Sequence, residues 1–170
     1  MEFIERGESY SKDIIANGYY PVAEMVWYTK LNPNAIEPSM GSAEAAGHDL
    51  YVPSDAEDIA IPAHSTKLVG TGIAIELPKG TFGAIFARSG LATKQGLRPA
   101  NCVGVVDSDY RGEVKVALHN DTDEHKIISA GERIAQLIVM PYIPITLHKV
   151  EAEELSDTNR GDGGFGSTGK

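Results

Sequence analysis

Residues 107–111 read Asp-Ser-Asp-Tyr-Arg, two carboxylates, a phenol and a guanidinium within five positions. Apolar Val105 and Val106 lead into them, Gly112 closes them, and apolar alternation resumes at Val114, Val116 and Leu118. The pattern predicts a β-hairpin opening at Gly104, with its polar residues at the tip. Burying such groups without partners is unfavourable, so the tip is either solvated or handles a ligand. Taken alone, the stretch Gly104–Gly112 fits a charged turn on a soluble surface best.

Other stretches carry chemistry of their own. Arg88-Ser89-Gly90-Leu91-Ala92 places an arginine and a hydroxyl just before a predicted helix, Ser89 to Gln95, with Ser89 as its cap and Gly96 as its stop. A helix N-terminus beside Arg88 makes a compact phosphate site, and an ordinary cap beside a surface arginine fits these residues equally. Ala46 to Leu50 puts one carboxylate, Asp49, in a turn entering a strand. Gly131 to Gln136 reads as a turn into a buried strand, where Gln136 needs a hydrogen-bond partner. The histidines at 48, 64, 119, 125 and 148 lack metal-ligand spacing, so no zinc site is expected. No Ser/His/Asp or Cys/His nucleophile arrangement is indicated either.

The C-terminal stretch invites two misreadings. Gly164 to Lys170 matches the G-x-x-x-x-G-K part of a P-loop, but neither the following hydroxyl nor a helix is there. Arg160-Gly161-Asp162 matches an adhesion tripeptide, for which an intracellular chain has no evident use. What remains is a strip carrying Arg160, Phe165, Ser167 and Thr168 among glycines, able to fold over a charged planar ligand as a lid. A disordered linker is the alternative, and Phe165 in such polar company argues against it.

The elements that must position these residues are strands. With 170 residues the chain fits one domain. Period-two runs occur at Met25, Trp27, Thr29 and Leu31, at Ile73, Ile75 and Leu77, at Phe82, Ala84 and Phe86, and at Ile143, Ile145 and Leu147. Ile134 to Met140 is apolar apart from Gln136, as in a strand buried on both faces. Turn clusters such as Asn32-Pro33-Asn34, Pro78-Lys79-Gly80 and Asn120–Asp123 separate the runs, as in an all-β sandwich, jelly roll or barrel. Residues 1–21 stand apart as an extension with a short helix at Glu8 to Ala16, residues 22–155 form the core, and residues 156–170 form a mobile Gly-rich tail. The 24 acidic and 15 basic residues give a net charge of -9, which argues against broad nucleic-acid or anionic-membrane binding. Cys102 is the only cysteine, so no internal disulfide is possible, as suits a reducing compartment. With no stretch near 18 apolar residues, a soluble, cytoplasmic protein is expected.

The order of these pieces is more specific than any one of them. Ala46–Leu50, Arg88–Ala92, Gly104–Gly112, Gly131–Val139 and Arg160–Gly169 closely resemble the five ordered motifs of the trimeric dUTP pyrophosphatases, from about Val22 onward. The resemblance implies an all-β, jelly-roll-like distorted β-barrel, assembled as a homotrimer whose active sites are shared between chains and closed by a flexible C-terminal tail. It implies hydrolysis of dUTP to dUMP and pyrophosphate with Mg2+, lowering dUTP and supplying dUMP for thymidylate synthesis. Carried over residue by residue, Asp107 is the base that activates water for attack at the α-phosphorus, and Tyr110 stacks on the deoxyribose. Asn101, the backbone of Gly104, Val105 and Val106, and Lys115 bond the uracil edge. Arg88, Ser89, Gly90 and Gln136 hold phosphates, and Asp49 reaches Mg2+ through a water. Phe165 covers the uracil, while Arg160, Gly166, Ser167 and Thr168 form the rest of the lid. A dCTP deaminase-like enzyme of one or two activities and a nucleotide-gated regulatory protein are the alternative readings.

Overall fold

In the computed structural model, residues 25–164 are described. Their elements run β1 (Trp27–Lys30), β2 (Ser39–Met40), β3 (His48–Tyr51), β4 (Ile59–Ile61), β5 (Thr66–Glu76), β6 (Thr81–Phe86), α1 (Ser89–Gln95), β7 (Leu97–Pro99), β8 (Gly104–Asp107), β9 (Glu113–Asn120), β10 (Lys126–Ile128) and β11 (Arg133–Pro141). A 3-10 turn follows at Ala152–Glu154. One sheet has the order β1-β5-β9-β7, a second β2-β3-β11-β6-β8, and a two-stranded ribbon pairs β10 with β4. Every pairing is antiparallel. The fold is therefore all-β and jelly-roll-like; among the described residues the sheets keep open edges rather than closing into a continuous barrel.

Alternation explains how the sheets share one core. On β9 the residues Val114, Val116 and Leu118 are buried while Lys115 between them is exposed. They join Leu50, Ile85, Val106, Ile134 and Leu137 of the second sheet, and Ile61 and Ile128 of the ribbon, in a single apolar cluster. Each such aliphatic side chain contributes about 1.5–3 kcal/mol relative to exposure, so the core holds the fold and leaves the outward polar residues free for ligands. Fully buried Asn120 fastens the ribbon to β9: its Nδ2 reaches the carbonyls of Ile61 and Glu124 at 3.0 and 2.7 Å, and its Oδ1 accepts from the Thr122 N–H at 3.0 Å.

Four local expectations are corrected. Residues 104–118 are not a hairpin: β8 pairs with β6 and β9 with β5, so the polar turn is an arch crossing from one sheet to the other. Alternation is identical in a hairpin and an arch, and only the partners distinguish them. Strand β1 exists, but all four of its residues are exposed rather than half-buried. Ile143, Ile145 and Leu147 form no strand and are 71%, 76% and 87% exposed; Pro141 and Pro144 remove donors there, and the period says which side chains share a face without supplying a partner strand. On β6 the buried residues are Thr81, Gly83, Ala84 and Ile85, because the strand lies between β8 and β11 and is covered on both faces. The predicted helix at Glu8 to Ala16 lies outside the described residues.

Candidate active site

The arch builds a cleft of about 310 Å³. Alternation on β8 turns Gly104 and Val106 toward the core and leaves Val105 and Asp107 outward. Asn101, Gly104, Val105, Val106, Asp107, Tyr110 and Lys115, all expected at one site, line this cleft together. The Tyr110 N–H donates to the Asp107 carbonyl at 3.1 Å, and Arg111 Nη1 donates to the Ser108 and Tyr110 carbonyls at 2.7 and 3.0 Å, which fixes the turn. Tyr110 Oη donates to the Glu113 carbonyl at 3.1 Å. The ring lies so close to the backbone of residue 112 that any Cβ there collides with it, so glycine is required. The Asp107 carboxylate, by contrast, makes no hydrogen bond or ion pair among the described residues. Its lone pairs are free to accept a proton from water.

Behind the cleft, β5 bulges. Gly70 faces Lys115 and Ala74 faces Glu113, so residues 71–73 oppose Val114 alone. Gly72 takes φ 68°, and its N–H donates to Glu113 Oε1 at 2.9 Å. Buried Thr71 donates from Oγ1 to the Val114 carbonyl at 2.7 Å, which satisfies the carbonyl that the bulge strips of its ladder partner. The second carboxylate oxygen of Glu113 lies 3.3 Å from Lys115 Nζ. Glu113 lines the cleft and was not foreseen. Its signal is an acid two positions before a lysine on one strand face, meaningful only once the register with β5 is known.

A second cluster forms where β3, β11 and the start of α1 meet. Asp49, 8% exposed, accepts from Arg88 Nε on Oδ1 at 2.8 Å and from Arg133 Nη1 on Oδ2 at 3.2 Å. Gln136 sits opposite both Asp49 and Phe86 across β11 and donates from Nε2 to the Ala87 carbonyl at 2.9 Å, the partner its burial demands. Arg88 occupies the N-cap position with extended backbone, and Ser89 is the first helical residue and makes no side-chain capping bond, which corrects the expected cap. Ser89 and Gly90 are exposed, and nothing approaches within 4 Å of a Cβ built on Gly90. Arg133 was also unforeseen: it stands three residues before Gln136, but only the β3–β11 pairing reveals that it meets Asp49.

No group of three His, Cys, Asp or Glu side chains suited to a metal occurs among the described residues. Asp49 spends one hydrogen bond per oxygen on arginine and keeps lone pairs for a water, so it fits an indirect contact to a cation and not a protein cage. Arg160 donates from Nε to the Gly163 carbonyl at 2.7 Å in an exposed turn. Phe165, Gly166, Ser167 and Thr168 lie outside the described residues.

The two clusters are far apart within one chain. Asp107 pairs with Phe82 at the start of β6, and Arg88 lies six residues further along. At about 3.3 Å per extended residue the two are separated by roughly 20 Å along the chain, Arg88 standing just past the end of β6 with extended backbone. Gly104, opposite Ile85, falls between them.

A jelly-roll-like antiparallel fold, with a cleft at the β8 edge of one sheet and an arginine–carboxylate knot just past the end of β6, sets the class. The dUTPase family model matches residues 34–169, and the chain belongs to the dUTPase family. It is 48% identical over 139 residues to the deoxyuridine 5'-triphosphate nucleotidohydrolase of Candida albicans, covering 82% of this chain and 84% of that protein. The corresponding protein of Paramecium bursaria Chlorella virus 1 is 49% identical over 144 residues, covering 82% and 94%. Among solved structures, the Staphylococcus bacteriophage 80alpha dUTPase with dUPNHPP superposes with a TM-score of 0.76 at 27% identity, covering 87% of this chain and all of that one. No helix among the described residues is long and apolar enough to cross a membrane.

Proposed function

We propose that this chain hydrolyses dUTP to dUMP and pyrophosphate at sites shared among three copies in the cytoplasm, lowering dUTP and supplying dUMP for thymidylate synthesis. The carrying observation is the Asp107 carboxylate, which has no hydrogen bond or ion pair among the described residues, in a cleft that Asn101 and Lys115 also line. Asp107 takes a proton from a water whose oxygen attacks the α-phosphorus in line; the bond from that phosphorus to the α–β bridging oxygen breaks, and pyrophosphate leaves. Asn101, Lys115 and the β8 backbone at Gly104, Val105 and Val106 bond the uracil edge, and the 5-methyl of thymine meets that backbone. Tyr110, pinned by Glu113 and Gly112, closes the space a 2′-hydroxyl needs, and burying that hydroxyl unpaired costs a further 1–3 kcal/mol or so.

The phosphates need charge neutralisation and hydrogen-bond donors. Arg88 supplies positive charge, and Ser89, the Gly90 backbone and Gln136 supply donors, from the partner subunit, since within one chain Arg88 lies roughly 20 Å from Asp107 and beyond the base-binding end. Positioned positive charge carries most of the catalysis of phosphoryl-type transfer. Asp49 would hold Mg2+ through a water, and the ion, when bound, would add to the neutralisation of the phosphates. Arg160 turns from its own loop to the terminal phosphates with Ser167 and Thr168, beside Gly166, while Phe165 covers the uracil. The test is a nucleotide panel: magnesium-dependent pyrophosphate release is strong with dUTP and weak with dCTP, UTP and dTTP, without ammonia. Ammonia from dCTP would favour a deaminase, and no turnover of any nucleotide a regulatory protein.

A further inference from the structure

We infer that Glu113 is a positioning residue that aims the Lys115 ammonium at the pyrimidine edge and so sets the preference for a 4-carbonyl over a 4-amino base. The inference rests on the proposed uracil subsite and adds a residue and a discrimination to it. Three contacts converge on Glu113. Its Oε1 accepts from the Gly72 N–H at 2.9 Å, its Oε2 holds Lys115 Nζ at 3.3 Å, and its carbonyl accepts from Tyr110 Oη at 3.1 Å. The β5 bulge lies directly against that carboxylate: a Cβ at Gly70 would meet Oε1, and the N–H of Gly72, at φ 68°, donates to it. Lys115 is a flexible side chain, 46% exposed, and with nothing to hold it would sample many rotamers; the half-buried Glu113 limits it to the cleft wall. An ammonium has three donors and no acceptor, so it bonds the 4-carbonyl of uracil and opposes the donating 4-amino group of cytosine. The Glu113 side chain thus ties the strand bulge to the base-reading lysine, while its backbone carbonyl anchors the sugar-stacking tyrosine.

The experiment measures dUMP and dCMP binding by calorimetry with the wild-type protein, Glu113→Gln, Lys115→Met and the double variant. Glutamine keeps an acceptor for the Gly72 N–H but no longer holds the ammonium by charge, so the fold is retained. We expect Glu113→Gln to weaken dUMP binding about tenfold and dCMP binding much less, narrowing the preference as Lys115→Met does, with no additional narrowing in the double variant. A Glu113→Gln protein with unchanged dUMP/dCMP preference would overturn the inference, as would equal loss for both ligands, which a purely structural role produces. Because the readout is binding of monophosphates, absence of dUTP turnover would sink the proposed reaction without touching this result.

Discussion

The cleft of β8 and β9 and the knot at Asp49 are built on opposite principles. In the cleft the residue proposed to do the chemistry, Asp107, has no partner among the described residues, while its neighbours Tyr110, Arg111 and Glu113 are fastened to backbone. In the knot the charges are already matched: two arginines share one nearly buried carboxylate, and Gln136 is spent on a carbonyl. On the proposed reading the open cleft reads a ligand directly. The knot instead holds Arg88 in a fixed place, roughly 20 Å from Asp107 within its own chain. The difference fits the proposal that one polypeptide carries two half-sites, neither complete alone.

Removing the free carboxylate should have the largest effect. Asp107→Asn is expected to keep dUTP binding while lowering kcat at least about a hundredfold, read by steady-state turnover and calorimetry; undiminished kcat would take the base role from Asp107. Ending the chain before Arg160 comes next: more than about a tenfold loss of activity is expected with an unchanged melting transition, since residues 160–164 contribute nothing to the apolar core. Full activity in the shortened chain would remove the lid. Asp49→Asn tests the knot, and here stability and function should move together. Leaving two guanidinium groups without their counter-charge should lower stability by about 1–3 kcal/mol and raise KM for dUTP severalfold, with kcat less affected. A wild-type KM in that variant would show that Arg88 needs no holding. The smallest functional effect is expected for Asn120→Ala, outside both regions. It strands carbonyls of Ile61 and Glu124 and should cost about 1–3 kcal/mol in chemical denaturation, while turnover below the transition stays at the wild-type rate.

How far the sequence reveals this arrangement depends on whether a residue's role is local or lies in pairing. Alternation identified β9 and the end of β5 because each has a buried face, an almost unbroken apolar run identified β11, and Gly96 ended α1 as expected, with φ 67°. The same alternation misassigned residues 104–118, since a hairpin and an arch differ only in which strands they join. It also made Ile143 to Leu147 a strand, though no partner strand lies beside it among the described residues. At the site, the residues proposed to touch a ligand were singled out from their motifs, and seven of them line one cleft. Glu113 and Arg133 were not, because each works by holding another side chain across a strand pair, and a register leaves little trace in a single sequence.

The claim that Asp107 and Arg88 of one working site come from different copies can be tested by subunit mixing. Asp107→Asn and Arg88→Ala chains, each inactive alone, should recover roughly a quarter of wild-type turnover when co-assembled in equal amounts, because half the sites inherit a sound Asp107 and half of those meet a sound Arg88. A mixture no more active than its better parent would place both residues in a single chain's site and contradict the account.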